Sequence, residues 1–205
     1  MPRRTKAQAE QTRSAIIDAA RKVFGERGVS RTTMEHIAIK AGVTRGAIYW
    51  HFANKSALFS AMRDQVRLPL LDRMNTVLHD SDGDPLDSVE HLLCQMLDGV
   101  ARNRRTRETY AIMTFKCEYV AELEPVLAQM TSTCQEMLDK LEEAYQSSAT
   151  RNLLREGMAP RLAALETFAF VSGLMRMWLA DGRGRVVRKQ VRELIAAHVA
   201  TRRRT

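Results

Sequence analysis

Two short helical stretches flank a glycine between residues 33 and 50, and this arrangement constrains the fold more than any other feature of the chain. Thr33 can cap the helical stretch MEHIAIKA, and Gly42 then interrupts the helical pattern. Thr44 can cap a second helix that ends near residue 50. Because only two or three residues join the two helices, 33–41 and 44–50, the pattern predicts a helix-turn-helix.

Helical patterns continue through the rest of the chain, and the alternation typical of strands is nearly absent. We therefore predict an all-α fold of about nine helices, with an N-terminal three-helix head that contains the helix-turn-helix and a larger helical body. The predicted boundary divides the chain into the head, residues 1–55, and the body, residues 56–205. The remaining predicted helices span about 5–27, 55–78, 86–101, 104–120, 124–150, 160–180 and 186–200.

The long fourth helix contains Pro69. Proline removes one backbone hydrogen bond and tends to kink a helix. The residue can therefore act as a hinge or mark a static kink, and the sequence favours neither.

Positive charge is concentrated at the N-terminus. Residues 1–60 contain 11 Lys and Arg against 4 Asp and Glu, a net charge of +7, whereas the whole chain carries +8. Arg3, Arg4 and Lys6 precede the first helix and can form a basic arm. Such localised charge is typical of a surface that meets phosphates or anionic lipid.

Several classes of protein are disfavoured by what the sequence lacks. It contains no evident secretory signal and no apolar run that approaches the ~20 residues of a membrane span, so we expect a cytoplasmic protein without a membrane partner. Histidines and cysteines show no metal-ligand spacing, and no phosphate-binding loop or nucleophile motif is present, so we expect no enzyme, metal or cofactor. Cys94, Cys117 and Cys134 are either small apolar core residues or redox-sensing thiols.

Side chains suited to DNA are grouped on and around the second helix of the helix-turn-helix. Arg45 can pair with a guanine edge, Gly46 permits close backbone approach, and Lys55 places a cation where phosphates bind. Tyr49 and Trp50 point about 100° apart, so both cannot be fully buried, but the sequence does not say which one faces a groove. The predicted DNA-binding residues are Thr33, Thr44, Arg45, Gly46, Tyr49, Trp50, His51 and Lys55. For His51, phosphate contact and local capping remain equal alternatives.

The segments TRSAIIDAARKVFGERGVSRTTMEHIAIKAGV and GVTRGAIYWHFANKSALF resemble the DNA-binding head of the TetR family of bacterial repressors. Shorter segments of the body, FKCEYVAEL and VSGLMRMWL, resemble the AcrR-like branch, whose members control multidrug efflux pumps. The resemblance implies that Tyr49, Trp50, His51 and Lys55 contact operator DNA. It also implies a homodimer bound to a palindromic operator and released by a small hydrophobic effector.

Flexible apolar side chains are frequent in the body, where they can form either an ordinary core or an adaptable pocket. The resemblance favours the pocket. Tyr110, Thr114 and Glu118 fall at i, i+4 and i+8, on one face of the predicted helix 104–120. Glu118 can either attract cationic drugs or pair with a surface arginine. The predicted ligand-binding residues are Leu92, Leu93, Met96, Tyr110, Met113, Thr114, Cys117, Glu118, Cys134, Met137, Leu138, Phe168, Val171, Ser172, Met175 and Arg176.

The predicted helix 160–180 is apolar on almost all sides, so it needs cover on more than one side. Together with helix 186–200 it is suited to a four-helix interface across a two-fold axis. The predicted interface residues are Leu174, Trp178, Val187, Val191, Leu194 and Ile195. The most consistent function is a ligand-responsive efflux repressor. A regulator that senses a metabolite, an activator and a nucleoid-type DNA binder remain alternatives.

Overall fold

The structure is a computed structural model that describes residues 6–78 and 83–204. Within these ranges the chain forms nine α-helices and one short 3-10 helix at Ala121–Leu123, which confirms the all-α prediction. The α-helices are α1 Lys6–Arg27, α2 Met34–Ala41, α3 Arg45–His51, α4 Lys55–Leu78, α5 Pro85–Arg102, α6 Arg104–Phe115, α7 Glu124–Thr150, α8 Pro160–Ala180 and α9 Val191–Ala200. The predicted basic arm lies outside the described residues except for Lys6.

The described residues form two compact units. The first consists of Met1–Arg67 with Arg105–Gln129, and the second of Leu68–Arg104 with Met130–Thr205. The predicted division at residue 55 differs from this arrangement, because α6 and the start of α7 return to the unit that contains the helix-turn-helix. A boundary placed at one point of the sequence cannot describe a unit built from two separate segments.

The first unit is held together by the apolar stripe of α1 and by a buried arginine. Ile16, Ile17 and Phe24 are fully buried on α1. Arg21, on the same helix, donates to Thr109 Oγ1 of α6 at 3.0 Å and to Gln65 Oε1 of α4 at 2.5 Å. Its third nitrogen pairs with Asp18 at 2.6 Å. All three guanidinium nitrogens of Arg21 therefore have an acceptor, as a buried charge requires.

Helix α6 ends five residues earlier than the sequence predicts. The backbone N–H of Lys116 closes the last turn on the Ile112 carbonyl at 2.9 Å, and the Lys116 carbonyl then accepts from the N–H of Val29 at 2.8 Å. The Tyr119 hydroxyl donates to the Met113 carbonyl at 3.0 Å, so the segment folds back on the helix. Long-range partners therefore end α6 at Phe115, and the pattern along α6 alone does not reveal them.

Helix α9 also starts later than predicted, at Val191, because one carboxylate organises the preceding loop. Asp181 accepts from the backbone N–H groups of Arg185 at 2.9 Å, Val186 at 3.0 Å and Val187 at 3.1 Å. The guanidinium of Arg188 lies 4.0 Å above the Trp178 ring. N–H groups bound to a carboxylate favour a loop at the position where the sequence pattern predicts helix.

Polar side chains also connect helices inside the second unit. The Tyr145 hydroxyl of α7 lies 2.7 Å from Thr167 Oγ1 of α8, which lies 2.9 Å from His198 Nε2 of α9. The His198 ring stacks on Phe170 with centroids 4.0 Å apart. Burial, followed by the charge of Arg202, lowers the pKa of His198 to about 4. The imidazole is therefore neutral at physiological pH.

Two sequence expectations concern the helices, and only the second needs revision. α4 runs without interruption through Pro69, which is exposed. α8, by length and composition, is apolar enough to cross a membrane, contrary to the expectation that no segment approaches this limit. A core helix of a soluble protein satisfies the same criterion, so this property is weak evidence for a membrane span.

Candidate nucleic-acid interface

Three helix caps that can be predicted from the sequence fix the helix-turn-helix. Thr33 Oγ1 accepts from the His36 N–H at 3.2 Å, and the His36 ring accepts from the Thr33 N–H, so the two residues form a reciprocal capping box. Gly42 adopts a left-handed conformation, φ +67°, and ends α2. Thr44 then accepts from the Ala47 N–H at 3.2 Å and starts α3. The turn is therefore three residues long.

The short α3 exposes most of the predicted DNA-binding side chains together. Thr33, Thr44, Arg45 and Gly46 are all exposed. Tyr49 and Trp50 are also exposed, by 45% and 73% respectively. The Arg45 guanidinium lies 5.9 Å from the Tyr49 ring centroid, one helical turn away. The structure thus presents a cation, two aromatic groups and a glycine on one two-turn helix.

The core beneath α3 comes from residues other than the aromatic pair. Ile48 is fully buried, Phe52 is 4% exposed, and the Arg13 guanidinium lies 5.1 Å from the Phe52 ring. Tyr49 and Trp50 are both exposed, in keeping with the expectation that they cannot both be buried, and which of them faces a groove stays open. His51 is half-buried, with its ring 4.6 Å from that of Trp50 and 6.4 Å from that of Phe52.

Gly46 has open space around it. A Cβ built on this residue would meet no atom within 4 Å. Since the fold of the described chain does not need a glycine here, the residue is a position where close approach of another molecule can be tested directly.

Lys55 differs from its predicted role as a phosphate contact. Only 7% of the residue is exposed, and its Nζ donates to the carbonyls of Val29 and Thr32, both at 3.0 Å. Glu122 lies 2.6 Å from the same nitrogen. The ammonium is therefore directed into the first unit, where it ties the loop after α1 to the 3-10 helix. This internal role could not be inferred from the position of Lys55 at the start of α4, because the partners lie 23 to 67 residues away in sequence.

The predicted ligand-binding residues fall in both compact units. In the first, Tyr110, Met113, Thr114 and Cys117 are half-buried. Glu118 is exposed, and Ser30 donates to its carboxylate at 3.4 Å. Because α6 ends before it, Glu118 does not share a helical face with Tyr110 and Thr114. Burial raises the pKa of Tyr110 to about 12, so this phenol is neutral at physiological pH.

In the second unit the predicted ligand residues have three levels of exposure. Leu92, Leu93, Val171 and Met175 are buried, while Ser172 and Arg176 are exposed. The half-buried set comprises Met96, Cys134, Met137, Leu138 and Phe168. An open cleft of about 710 Å³ also occurs in this unit, between α4, α5 and α9, and none of the predicted residues lines it.

The predicted dimer residues are mostly covered by their own chain. Leu174, Trp178, Val187, Val191 and Ile195 are each less than 9% exposed, whereas Leu194 is 40% exposed. The apolar residues that remain exposed in this part of the chain are Leu162, Leu165, Met177, Val186 and Leu194. The sequence correctly indicates apolar surface in excess, but it cannot say which side of α8 the chain itself covers.

Burial raises the pKa of all three cysteine thiols, to about 11 for Cys117. Since the thiolate is the reactive form, these environments favour the apolar role over a redox-sensing one.

The exposure of Ile39 and the burial of Arg63 were not predicted from the sequence. Ile39, on the first helix of the helix-turn-helix, is 73% exposed. Its position two residues after the buried Ile37 is the signal that could have revealed this exposure. Arg63 on α4 is buried although it carries a charge. A charged residue between the apolar Met62 and Val66 is a weak sequence signal, and only the tertiary structure shows its burial.

Comparison with known proteins agrees with this architecture. Residues 16–62 match the family described as bacterial regulatory proteins, tetR family, and residues 84–201 match the C-terminal region of MAATS-type transcriptional repressors. The HTH-type transcriptional regulator AcrR of Shigella flexneri is 34% identical over 196 residues, covering 96% of this chain and 91% of that protein.

Two solved structures are similar over nearly the whole chain. The crystal structure of NalD, the secondary repressor of the MexAB-OprM multidrug efflux pump in Pseudomonas aeruginosa, has a TM-score of 0.88 at 34% identity and covers 97% of this chain and 98% of that one. The complex of SmeT with triclosan has a TM-score of 0.83 at 29% identity, with 93% and 91% covered. SmeT is the repressor of the Stenotrophomonas maltophilia multidrug efflux pump SmeDEF. The chain therefore belongs to the TetR family of bacterial regulatory proteins, in the AcrR-like branch that its sequence motifs indicate.

Proposed function

We propose that this protein is a cytoplasmic, ligand-responsive transcriptional repressor that binds a palindromic operator as a homodimer. It controls a multidrug efflux operon and is released by small hydrophobic, drug-like effectors. The observation that carries the proposal is the exposed set Arg45, Gly46, Tyr49 and Trp50 on α3, in a segment with a net charge of +7 over residues 1–60. Similarity to the repressors of two efflux pumps supports the target.

Each surface residue has a chemical task in this proposal. Arg45 reads a guanine edge in the major groove, and Gly46 lets the backbone approach the bases. Thr33, Thr44, Tyr49 and His51 hold phosphates on the groove walls, while the exposed Trp50 packs against the sugar-phosphate flank. One two-turn helix specifies few bases, so a dimer that spans half-sites about 34–36 Å apart is required.

The dimer surface in this proposal consists of the apolar residues that the chain leaves exposed, Leu162, Leu165, Met177, Val186 and Leu194. Replacing Met177 with Glu places a charge on this surface and should convert dimers to monomers in light scattering after size exclusion. Leu68, an exposed apolar residue on α4 in the same unit, offers a matched control as Leu68→Glu. Equal masses for Met177→Glu and wild type would contradict the assignment.

Effector release requires that binding in the body alters the position of the reading helices. We assign this link to α4, which begins at Lys55 three residues after Phe52 and extends to Leu78. A coupling of about 1–3 kcal/mol gives a 5–150-fold loss of operator affinity. Pro69→Ala tests whether the proline is a hinge, because a static kink predicts unchanged release.

The test of the function is operator binding by fluorescence anisotropy with the DNA upstream of the protein's own gene and of a neighbouring pump operon. A specific repressor should prefer its operator over scrambled DNA by about 10³-fold or more, whereas a nucleoid-type binder shows a few-fold preference. Arg45→Ala should cost about 1–3 kcal/mol and relax one operator position. Lys22→Ala, an exposed change on α1, is the matched control and should change binding little.

Triclosan is a suitable first effector probe, because SmeT forms a complex with it. Addition of triclosan should reduce operator affinity in the same assay. Specific operator binding without response to any of a panel of hydrophobic drugs would favour the alternative of a regulator that senses one metabolite. Higher transcription in the presence of the free protein would instead identify an activator.

A further inference from the structure

Arg63 is a buried cation whose guanidinium is only partly satisfied. The residue lies on α4 within the first unit and is 5% exposed. Its Nη2 donates to Gln129 Oε1 at 3.0 Å and to Asp64 Oδ1 at 3.2 Å. Its Nε and Nη1 are buried and find no hydrogen-bond partner among the described residues. Three N–H groups of a buried charge are therefore without an acceptor.

Arg21 in the same unit shows that the lack of acceptors around Arg63 is unusual. Arg21 is equally buried, and each of its three nitrogens has an acceptor supplied by the chain. Buried polar groups are satisfied in the great majority of cases, and an exception indicates a missing water, ion or ligand. Arg63 is such an exception.

Charge around Arg63 is also unbalanced. The acidic partner that the described residues supply is Asp64, which accepts simultaneously from Arg67 Nε at 3.0 Å, so one carboxylate is shared between two guanidinium groups. The nearby Tyr119 cannot supply a second anion, because burial raises its pKa and its hydroxyl already donates to the Met113 carbonyl. The three charged side chains together carry one net positive charge.

Fully buried apolar residues are neighbours of Arg63 along α4. Phe59 lies one helical turn before Arg63 on α4, and its ring meets that of Tyr119 edge-on with centroids 6.3 Å apart. Met62 is fully buried beside them in sequence. Apolar surroundings with one polar group that fixes orientation are typical of small-molecule sites.

We propose that Arg63 anchors an acidic effector, a hydrophobic molecule whose carboxylate accepts the unused Nε–H and Nη1–H donors. The inference rests on the proposed function, since it names the chemical class of the effector. A carboxylate satisfies donors and net charge together, and charge-assisted hydrogen bonds to arginine are about twice as strong as neutral ones. A neutral molecule of the same shape leaves the positive charge of Arg63 without a counter-ion.

The test compares 2-naphthoate with 2-naphthamide, a neutral molecule of nearly the same shape, by isothermal titration calorimetry with the full chain at pH 7.5. Wild type should bind the acid at least about tenfold more tightly than the amide, since one charge-assisted contact contributes about 1.5–3 kcal/mol. In Arg63→Met the ratio should fall to within about twofold while amide binding persists. Lys116→Met, which removes an exposed charge from the same unit, should keep the wild-type ratio.

Thermal melting separates an effector anchor from a structural arginine. Replacing a buried, incompletely paired charge by a similar apolar side chain is often neutral or stabilising, so Arg63→Met should melt at or above the wild-type temperature. Arg63→Lys keeps the charge with fewer donors and should give an intermediate ratio.

Three results overturn the inference: equal affinity of wild type for the two probes, an unchanged ratio in Arg63→Met, or no binding of 2-naphthoate to wild type at millimolar concentration. Operator binding of both proteins is measured without probe. Absence of specific operator binding in wild type contradicts the proposed function. If operator binding is present but the ratio of the affinities for 2-naphthoate and 2-naphthamide differs from the expected one, only the role of Arg63 is contradicted.

Discussion

Replacing Lys55 with Met separates a structural lysine from a phosphate contact. Methionine keeps the length of the side chain and removes the ammonium that binds the Val29 and Thr32 carbonyls and Glu122. The change therefore removes one donor from the carbonyl groups of Val29, Ser30 and Thr32 in the loop after α1.

The cost can be worked from these contacts. Hydrogen bonds to a charged group contribute about 1.5–3 kcal/mol each, so the two at 3.0 Å account for about 3–6 kcal/mol. The Glu122 side chain is half exposed, so its ion pair adds at most about 1 kcal/mol. Methionine avoids the desolvation of a buried ammonium, which offsets part of the loss. We expect a net decrease of about 2–4 kcal/mol in the free energy of unfolding.

The assay combines urea denaturation, followed by circular dichroism, with operator binding between 50 and 200 mM salt. A lost phosphate contact reduces the slope of log affinity against log salt by about 0.9. Because the Lys55 ammonium is directed inward, we expect lower stability and weaker operator binding with an unchanged slope. Lys40→Met is the charge-matched control on an exposed residue, and its unfolding free energy should change by no more than about 0.5 kcal/mol.

One combination of results would contradict an internal role for Lys55. If Lys55→Met retains wild-type stability and lowers the salt slope by about one unit, the lysine binds phosphate as its sequence position predicts, and the buried geometry does not describe the DNA-bound protein.

The remaining predictions concern one glycine and two titrating groups. In Gly46→Ala the new Cβ meets no atom within 4 Å, and helix propensity improves by about 1 kcal/mol. The melting temperature should therefore be unchanged or higher, while operator affinity falls at least tenfold. Equal affinity would mean that the backbone does not approach DNA closely at this residue. For Asp181, desolvation opposes ionisation, but the N–H groups of Val187, Arg185, Val186 and Arg188 together lower the pKa to about 2. Its contribution to stability is therefore complete above about pH 4 and is lost as the pH falls toward 2, and Asp181→Asn should show a smaller acid dependence in urea titrations over that interval. The folded pKa of His198, about 4, lies below the usual value for histidine. The unfolded chain therefore binds more protons than the folded chain between pH 6.5 and 4. After allowance for partial exposure, the free energy of unfolding should fall by about 1–2 kcal/mol from pH 7 to 5. His198→Gln should remove this part of the pH dependence, and an unchanged profile would assign it to other groups.

Local signals predicted most of the helices and the whole helix-turn-helix. Thr33, Gly42 and Thr44 act through hydrogen bonds and backbone conformations that involve residues no more than four positions away. Such interactions are encoded by neighbouring residues, so they can be inferred from a single sequence. The exposed face of α3 follows directly, because a two-turn helix offers few outward positions.

Predictions failed where a distant residue supplied the partner. The Val29 N–H bonds the carbonyl that follows the end of α6, and the Asp181 carboxylate delays the start of α9. For this reason Glu118 does not lie on the helical face that the sequence predicts. No periodicity along a single helix contains this information.

The fold class, the recognition helix and the family can all be inferred from the sequence, because each depends on local patterns or motifs of contiguous residues. Which charged side chains lie inside depends on the three-dimensional fold. Lys55 and Arg63 are both buried cations near the start of α4, yet the first has a full set of acceptors and the second does not. Burial of a charge depends on acceptors brought together by the whole fold, and for this reason the internal role of Lys55 and the unpaired donors of Arg63 emerge only in three dimensions.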